Sequence, residues 1–262
     1  MNHLTQNILK LAAVLAIAAG STAAVRAAGW GSIKGKFVID GAAPKLAAID
    51  ASKDALCVAA HPVDESVVVG KDGGIADIVV FLRVARGKTV DVNPEYDASK
   101  NQTVTLDNKG CSFRPHVSLV RIGQPFVVKN SDTIAHNTKL EMQANGGGNP
   151  LLPAGDEKKF DFTKPEAIPQ PVSCNIHPFM HGFILVKDDP YMAVSGEDGT
   201  FEIKNIPAGK QEFVFWQELH GYLKDVKFKG GAASKQGRAE LTIEDGKTLD
   251  LGDIKVPASQ LQ

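Results

Sequence analysis

The stretch Cys174-Asn175-Ile176-His177-Pro178-Phe179-Met180-His181-Gly182 sets a thiolate, an imidazole and a thioether within the seven residues Cys174 to Met180. A β-type run, Gly182 to Val186, follows at once, so one loop can aim all three groups at a single point. Upstream, Asn130-Ser131-Asp132-Thr133-Ile134-Ala135-His136-Asn137 supplies another imidazole. Moving outward, the chain reads as strands. Ser32 to Asp40 alternates, Ser66 to Val69 and Ile75 to Val84 are rich in Val and Ile, and Thr103 to Leu106, Val117 to Ile122 and Pro125 to Lys129 are short β-type runs. Thr200 to Ile203, Gln211 to Trp216, Glu240 to Ile243 and Leu249 to Val256 continue the series, punctuated by Gly, Pro, Asn and Asp. This spacing predicts all-β sandwiches rather than βαβ units. The one helix candidate is Ser52 to Ala60, opened by a Ser or Asp cap. Gly87-Lys88-Thr89 looks like the end of a phosphate-binding loop, but the glycine that motif needs is Leu82.

Two histidines and one cysteine in a trigonal set, with a weak axial methionine, are the donors of a blue-copper electron-transfer site. Cys174-x-x-His177-x-x-Met180 also has the ligand spacing of the cupredoxin family in its short-loop, amicyanin-like branch. Pro178-Phe179, Gly182 and Ala135-His136-Asn137 resemble that branch too. So do Phe113-x-Pro115, Val117 to Val120, Gly123, Phe126 to Val128 and Asn130-x-Asp132. The resemblance covers residues 103 to 188. It implies one type 1 copper, with His136, Cys174 and His177 as equatorial ligands and Met180 as the axial one. It also implies that Asn137 holds the two ligand loops together near the sulfur, as outer-shell groups do in metal sites. Each residue also has an ordinary alternative: a buried thiol for Cys174, core or surface histidines, and gap filling for Met180. His181 is read as a surface residue, because side chains alternate along a strand. With Cys174 taken as a copper thiolate, Cys57 and Cys111 remain as a possible disulfide, free buried thiols being the alternative. No spacing joins His61, His116 and His220 into a second site.

Beyond this segment, Asp198-Gly199-Thr200-Phe201-Glu202-Ile203 makes a sharp turn into a strand, followed by Ile206-Pro207-Ala208-Gly209, another strand, and Gly221-Tyr222. That series resembles the carboxypeptidase-regulatory-like (transthyretin-like, carbohydrate-binding-like) β-sandwich, and Ile33 to Lys45 with Ala76 to Val84 resembles its opening strands. The expected fold is therefore a cupredoxin-like Greek-key β-sandwich inserted in, or adjacent to, a carboxypeptidase-regulatory-like sandwich. In this division residues 29–102 and 189–258 form the two parts of the outer sandwich and 103–188 the copper domain. Trp216, Tyr222 and Trp30 offer a sugar platform, although Trp216 reads better as core.

At the start, Lys10 precedes the apolar run Leu11 to Ala19, and small residues lead to Val25-Arg26-Ala27-Ala28. This is the pattern of a signal peptide over 1–28, too short to span a bilayer, and it points to a periplasmic or secreted protein without stable membrane insertion. With 29 Lys+Arg against 30 Asp+Glu, the net charge of -1 leaves no basic excess for nucleic acid. The expectation is a periplasmic blue-copper electron carrier, not an enzyme. By the resemblance, its partner is a redox protein such as a c-type cytochrome or a periplasmic dehydrogenase. Copper handling, or a metal-free structural or carbohydrate-binding sandwich, are the alternatives.

Overall fold

In the strand Trp30–Asp40, Ile33 and Phe37 lie four residues apart, so they face one side of the sheet, and both are fully buried. A computed structural model describes residues 29–262; the expected leader, 1–28, lies outside the described residues. The 30–40 strand pairs antiparallel with Thr200–Pro207 and parallel with Thr248–Pro257. The strands at 33–40 and 248–257 are therefore neighbours in one sheet. Gly199 makes the turn into Thr200–Pro207 possible. Its φ of +80° suits glycine, and a Cβ there would lie 2.2 Å from the Phe37 carbonyl oxygen.

A second sheet runs Met192–Val194, Val79–Leu82, Gly209–Gln217, Gly221–Tyr222, with Arg238–Ile243 also on the 209–217 strand. Between these two sheets lies a core that includes Phe37, Val80, Leu82, Ile203, Phe213, Phe215 and Ile254.

The chain between them builds two more sheets. One orders Glu157–Phe160, Phe126–Asn130, Val104–Asn108 and Phe113–Arg114; the other orders Val117–Arg121, His181–Lys187, Gln170–Ser173 and Lys139–Leu140. Their parallel pairs, 104–108 with 126–130 and 117–121 with 181–187, join strands separated in sequence, which gives the Greek-key character. The core here contains Phe113, Phe126, Val128, Val172, Cys174, Met180 and Ile184. Cys57, with Ala51 and Leu56 beside it, packs into this same core, although the chain reaches it from the first sandwich.

A third apolar layer joins the two bodies. Val79, Phe81, Val214 and Trp216 meet Val117, Leu185 and Phe183, with the Phe183 and Trp216 rings 4.9 Å apart. This explains the unbroken apolar run Val79-Val80-Phe81-Leu82, all four of which are buried. Val80 and Leu82 face the first core, while Val79 and Phe81 face the seam. Trp216 is 5% exposed, so it belongs to this seam and is not free to act as a sugar platform.

Three local expectations change. The helix is Ala55–Ala60, capped by Asp54, whose side chain accepts the Leu56 N–H at 3.0 Å. Residues 66–69 make only an isolated bridge, Val69 with Ile75, because the segment turns back on itself at Asp72-Gly73. The Ile75 to Val84 run is a strand only over Val79–Leu82. No helix among the described residues is long and apolar enough to cross a membrane.

Two outcomes follow. Cys57 and Cys111 are joined in a disulfide, Cα–Cα 5.4 Å, closing a 54-residue separation. Cutting it as the double variant Cys57→Ser/Cys111→Ser should lower unfolding free energy by about 2–4 kcal/mol in urea titrations; an unchanged midpoint would refute a structural role. Asp189, buried with only its Oδ1 hydrogen-bonded (to the Tyr191 N–H), has its carboxyl raised by burial to about 6. Its folded value exceeds the unfolded one, so its stabilising contribution is full below about pH 4 and lost as pH rises through about 6. Asp189→Asn should therefore gain on the wild type by something on the order of 3 kcal/mol between pH 4 and 8. A difference that does not vary with pH would contradict this.

Candidate metal centre

His136 begins a two-residue strand, His136–Asn137, that pairs with Leu151–Leu152 at the end of the second core. Cys174 directly follows the strand Gln170–Ser173, and the chain then folds back through a tight loop. Here the Met180 N–H donates to the His177 carbonyl at 2.8 Å, and the Cys174 N–H donates to the Met180 carbonyl at 3.2 Å. These bonds close the Cys174–Met180 loop and set its residues against His136.

The Nδ1 atoms of His136 and His177 face each other at 3.1 Å, and the Cys174 Sγ lies 3.9 Å from the His177 Nδ1. One donor atom from each of the three residues falls within 4.8 Å of the others, and all three residues are buried. Met180 is 2% exposed and packs in the same core as Cys174.

The His136 proton is directed away from this point. His136 Nε2–H donates to Asp132 Oδ2 at 2.9 Å, which leaves a lone pair on Nδ1. Asp132 is itself anchored, accepting the Gly110 N–H at 2.7 Å and the Cys111 N–H at 2.9 Å. Burial first, and then the neighbouring His136, holds the His177 imidazole below its ordinary pKa and so favours the neutral form that can bind a metal. Asn137 Oδ1 accepts the Asn175 N–H at 2.8 Å and the Ile176 N–H at 3.1 Å, and stands 3.5 Å from Cys174 Sγ. The His177 N–H also points at that sulfur, 3.4 Å away. Two imidazole nitrogens and one soft sulfur, with His136 and the Cys174 loop oriented by Asp132 and Asn137, fit copper by their donor chemistry. Cys111, Asp132 and His136 also cluster, but Cys111 is in the disulfide and offers no thiolate.

His177 is only 5% exposed. Asp54 covers it, with Oδ2 4.0 Å from His177 Nε2 while Oδ1 caps the short helix. The disulfide fastens that helix to the 110–111 turn. His181 has a different place. Its Nδ1 meets the Phe179 carbonyl at 3.1 Å and its Nε2 faces Glu218 Oε1 at 3.2 Å, outside the His136–Cys174–His177 group. His116 joins it there, whereas sequence spacing gave no link between them.

Asp54, Asp132 and Glu218 were not read from sequence as parts of a site, although Asn130-x-Asp132 belongs to the resemblance. Asp132 carried one weak signal, its position four residues before His136; Asp54 and Glu218 lie far away in the chain and carried none.

No protein-family model and no curated protein matches the chain. Partial likenesses to solved structures exist. A copper-containing nitrite reductase from Thermus scotoductus SA-01 is 25% identical over 40% of this chain and 25% of its own length, with TM-score 0.30. A reduced variant of amicyanin is 19% identical over 32% of this chain and 82% of its own, with TM-score 0.30. A purple cupredoxin from Nitrosopumilus maritimus is 18% identical over 33% of this chain and 100% of its own, with TM-score 0.28. The chain thus spans about a quarter of that nitrite reductase's length.

Proposed function

We propose that this protein is an extracytoplasmic type 1 copper protein that relays electrons. One observation carries the reading: His136 Nδ1, His177 Nδ1 and Cys174 Sγ converge in a buried site from which the His136 proton is held outward. Met180, on the same loop, is the proposed axial ligand, and it would close the coordination position that a copper enzyme leaves open. The protein is accordingly read as a carrier and not a catalyst. When bound, copper supplies a one-electron couple. The chain's part is to hold three donors in one arrangement for both oxidation states. Asp132 and Asn137 serve that end by fixing the first histidine and the ligand loop.

In this reading the copper domain is an insertion in a carboxypeptidase-regulatory-like sandwich, which the pairing of 30–40 with both 200–207 and 248–257 supports. Val58, Leu151 and Ile176 are large exposed apolar residues. They sit on the covering helix, opposite Asn137 and beside His177, respectively. They form the proposed contact face for a redox protein such as a c-type cytochrome or dehydrogenase, a class of complex that is typically small and transient.

Copper handling would use the same ligands. The cover of Asp54, tethered by the disulfide, argues for retention over delivery, since transfer to an acceptor needs a reachable ligand.

Copper(II) added to the mature protein should give an intense sulfur-to-copper absorption band saturating at one equivalent, absent in Cys174→Ser. Colourless wild type with a reduced thiol would end the electron-relay reading. Copper(I) should leave the oxidised wild type slowly when challenged with a chelator, and faster from Cys57→Ser/Cys111→Ser. Equal and rapid loss from both would favour copper handling.

A further inference from the structure

His116, His181 and Glu218 meet in the seam between the two sandwiches. His116 follows the strand Phe113–Arg114 and His181 opens His181–Lys187, both in the second body; Glu218 follows Gly209–Gln217 of the first. His116 Nε2 is 2.5 Å from Glu218 Oε2, and His181 Nε2 is 3.2 Å from Glu218 Oε1. The His116 and Glu218 side chains are 3% and 8% exposed, while that of His181 is 35% exposed and reaches solvent. One donor atom from each of the three lies within 4.8 Å of the others.

The proton arrangement at His181 is informative. Its Nδ1–H donates to the Phe179 carbonyl at 3.1 Å, so in the neutral ring Nε2 carries a lone pair. That lone pair points at a carboxylate oxygen, and two electron-rich atoms in a buried seam need a cation between them. Either a proton or a metal ion can take that place. His116 meets the other carboxylate oxygen through Nε2, and its Nδ1 is buried without a hydrogen-bond partner, so no contact from behind fixes its tautomer. Burial pushes the carboxyl of Asp77 nearby upward; Glu65 and Glu218 add to this, against the pull of His116 and Arg114.

We propose that His116, His181 and Glu218 form a second metal site, separate from the Cys174 centre, that takes a divalent ion of the zinc class and clamps the two sandwiches together. Two imidazoles and one carboxylate are a zinc donor set, with the fourth position left to water on the exposed side of His181. The Phe179 carbonyl orients His181 from behind, as such ligands require. A tetrahedral ion at about 2.0–2.2 Å from each donor separates neighbouring donors by roughly 3.4 Å. The His181–Glu218 gap already fits this, and a small rotation of the Glu218 carboxylate opens the His116 gap.

The position of His116 is set by the backbone. Its carbonyl accepts the Phe183 N–H at 2.8 Å, and a Cβ on Gly182 would lie 2.6 Å from that oxygen. Only glycine allows the 181–187 strand to come this close, which brings His181 beside His116 with ring centroids 5.4 Å apart.

The test is zinc(II) titration of the full mature protein by calorimetry, with thermal unfolding alongside. At least one equivalent should bind the wild type and raise its unfolding temperature, since the Cys174 centre can also take zinc. One equivalent should still bind Cys174→Ser/His136→Gln, which removes two donors of the other centre. Added to that double variant, Glu218→Gln or His181→Ala should weaken this binding by more than about 100-fold, beyond the loss typical of an outer-shell partner. Anomalous diffraction from zinc-soaked crystals gives a reading independent of any variant's folding, and density between His116, His181 and Glu218 is the expected result. Zinc lost in the double variant but kept in Glu218→Gln would overturn the proposal, as would no binding below millimolar zinc. In the latter case a proton alone bridges His181 and Glu218.

Discussion

The hydrogen bond from His136 to Asp132 is the contact on which the arrangement of the candidate copper centre depends. It fixes which imidazole nitrogen carries the proton and turns the other toward Cys174 and His177. Asp132 can do this because its two oxygens also accept the Gly110 and Cys111 N–H groups. That turn in turn carries the disulfide to the helix whose cap, Asp54, lies over His177. A chain of bonds therefore runs from the first histidine, behind the site, to the carboxylate that covers the second. Without Asp132 the His136 ring would keep its burial but lose the partner that fixes its proton, and a buried donor left unmatched is costly.

The sheets place this site by being apolar on both faces. Val79–Leu82 and His181–Lys187 each divide their side chains between a core and the seam. Such strands cannot slide, since a shift of one residue would exchange the two sets. The Phe183–Trp216 contact and its neighbours thus hold one sandwich against the other in a single register.

Much of this was legible in the sequence. Alternation in residues 32–40 and 249–256 located both long strands to within two residues, because one face of each is buried and the other wet. The order of Cys174, His177 and Met180 drew attention to a loop that brings Cys174 and His177 beside His136. Other features were not legible, for reasons that are themselves physical. Residues 66–69 have strand-forming composition, but the turn beyond them leaves only one bridge. Asp54 caps a helix that starts three residues later than expected, and its second oxygen over His177 depends on a tertiary path that no local pattern encodes. Glu218 and His116 are 102 residues apart and come together only because two sandwiches share a seam.

The residues Met180 and His181 show how one backbone step can separate two chemistries. Met180 packs among the apolar residues that surround Cys174, while the ring of His181 turns toward Glu218 and His116. Strand alternation sends successive side chains to opposite faces, and here the opposite faces are a sandwich core and the seam. The parallel pairing of Phe183 with Val117 and the approach of Gly182 to the His116 carbonyl lock that alternation in place. The contacts that keep His181 out of the Cys174 centre are therefore the same ones that deliver it to Glu218. The separation of the two clusters is a consequence of sheet register and does not depend on the short loop that joins them.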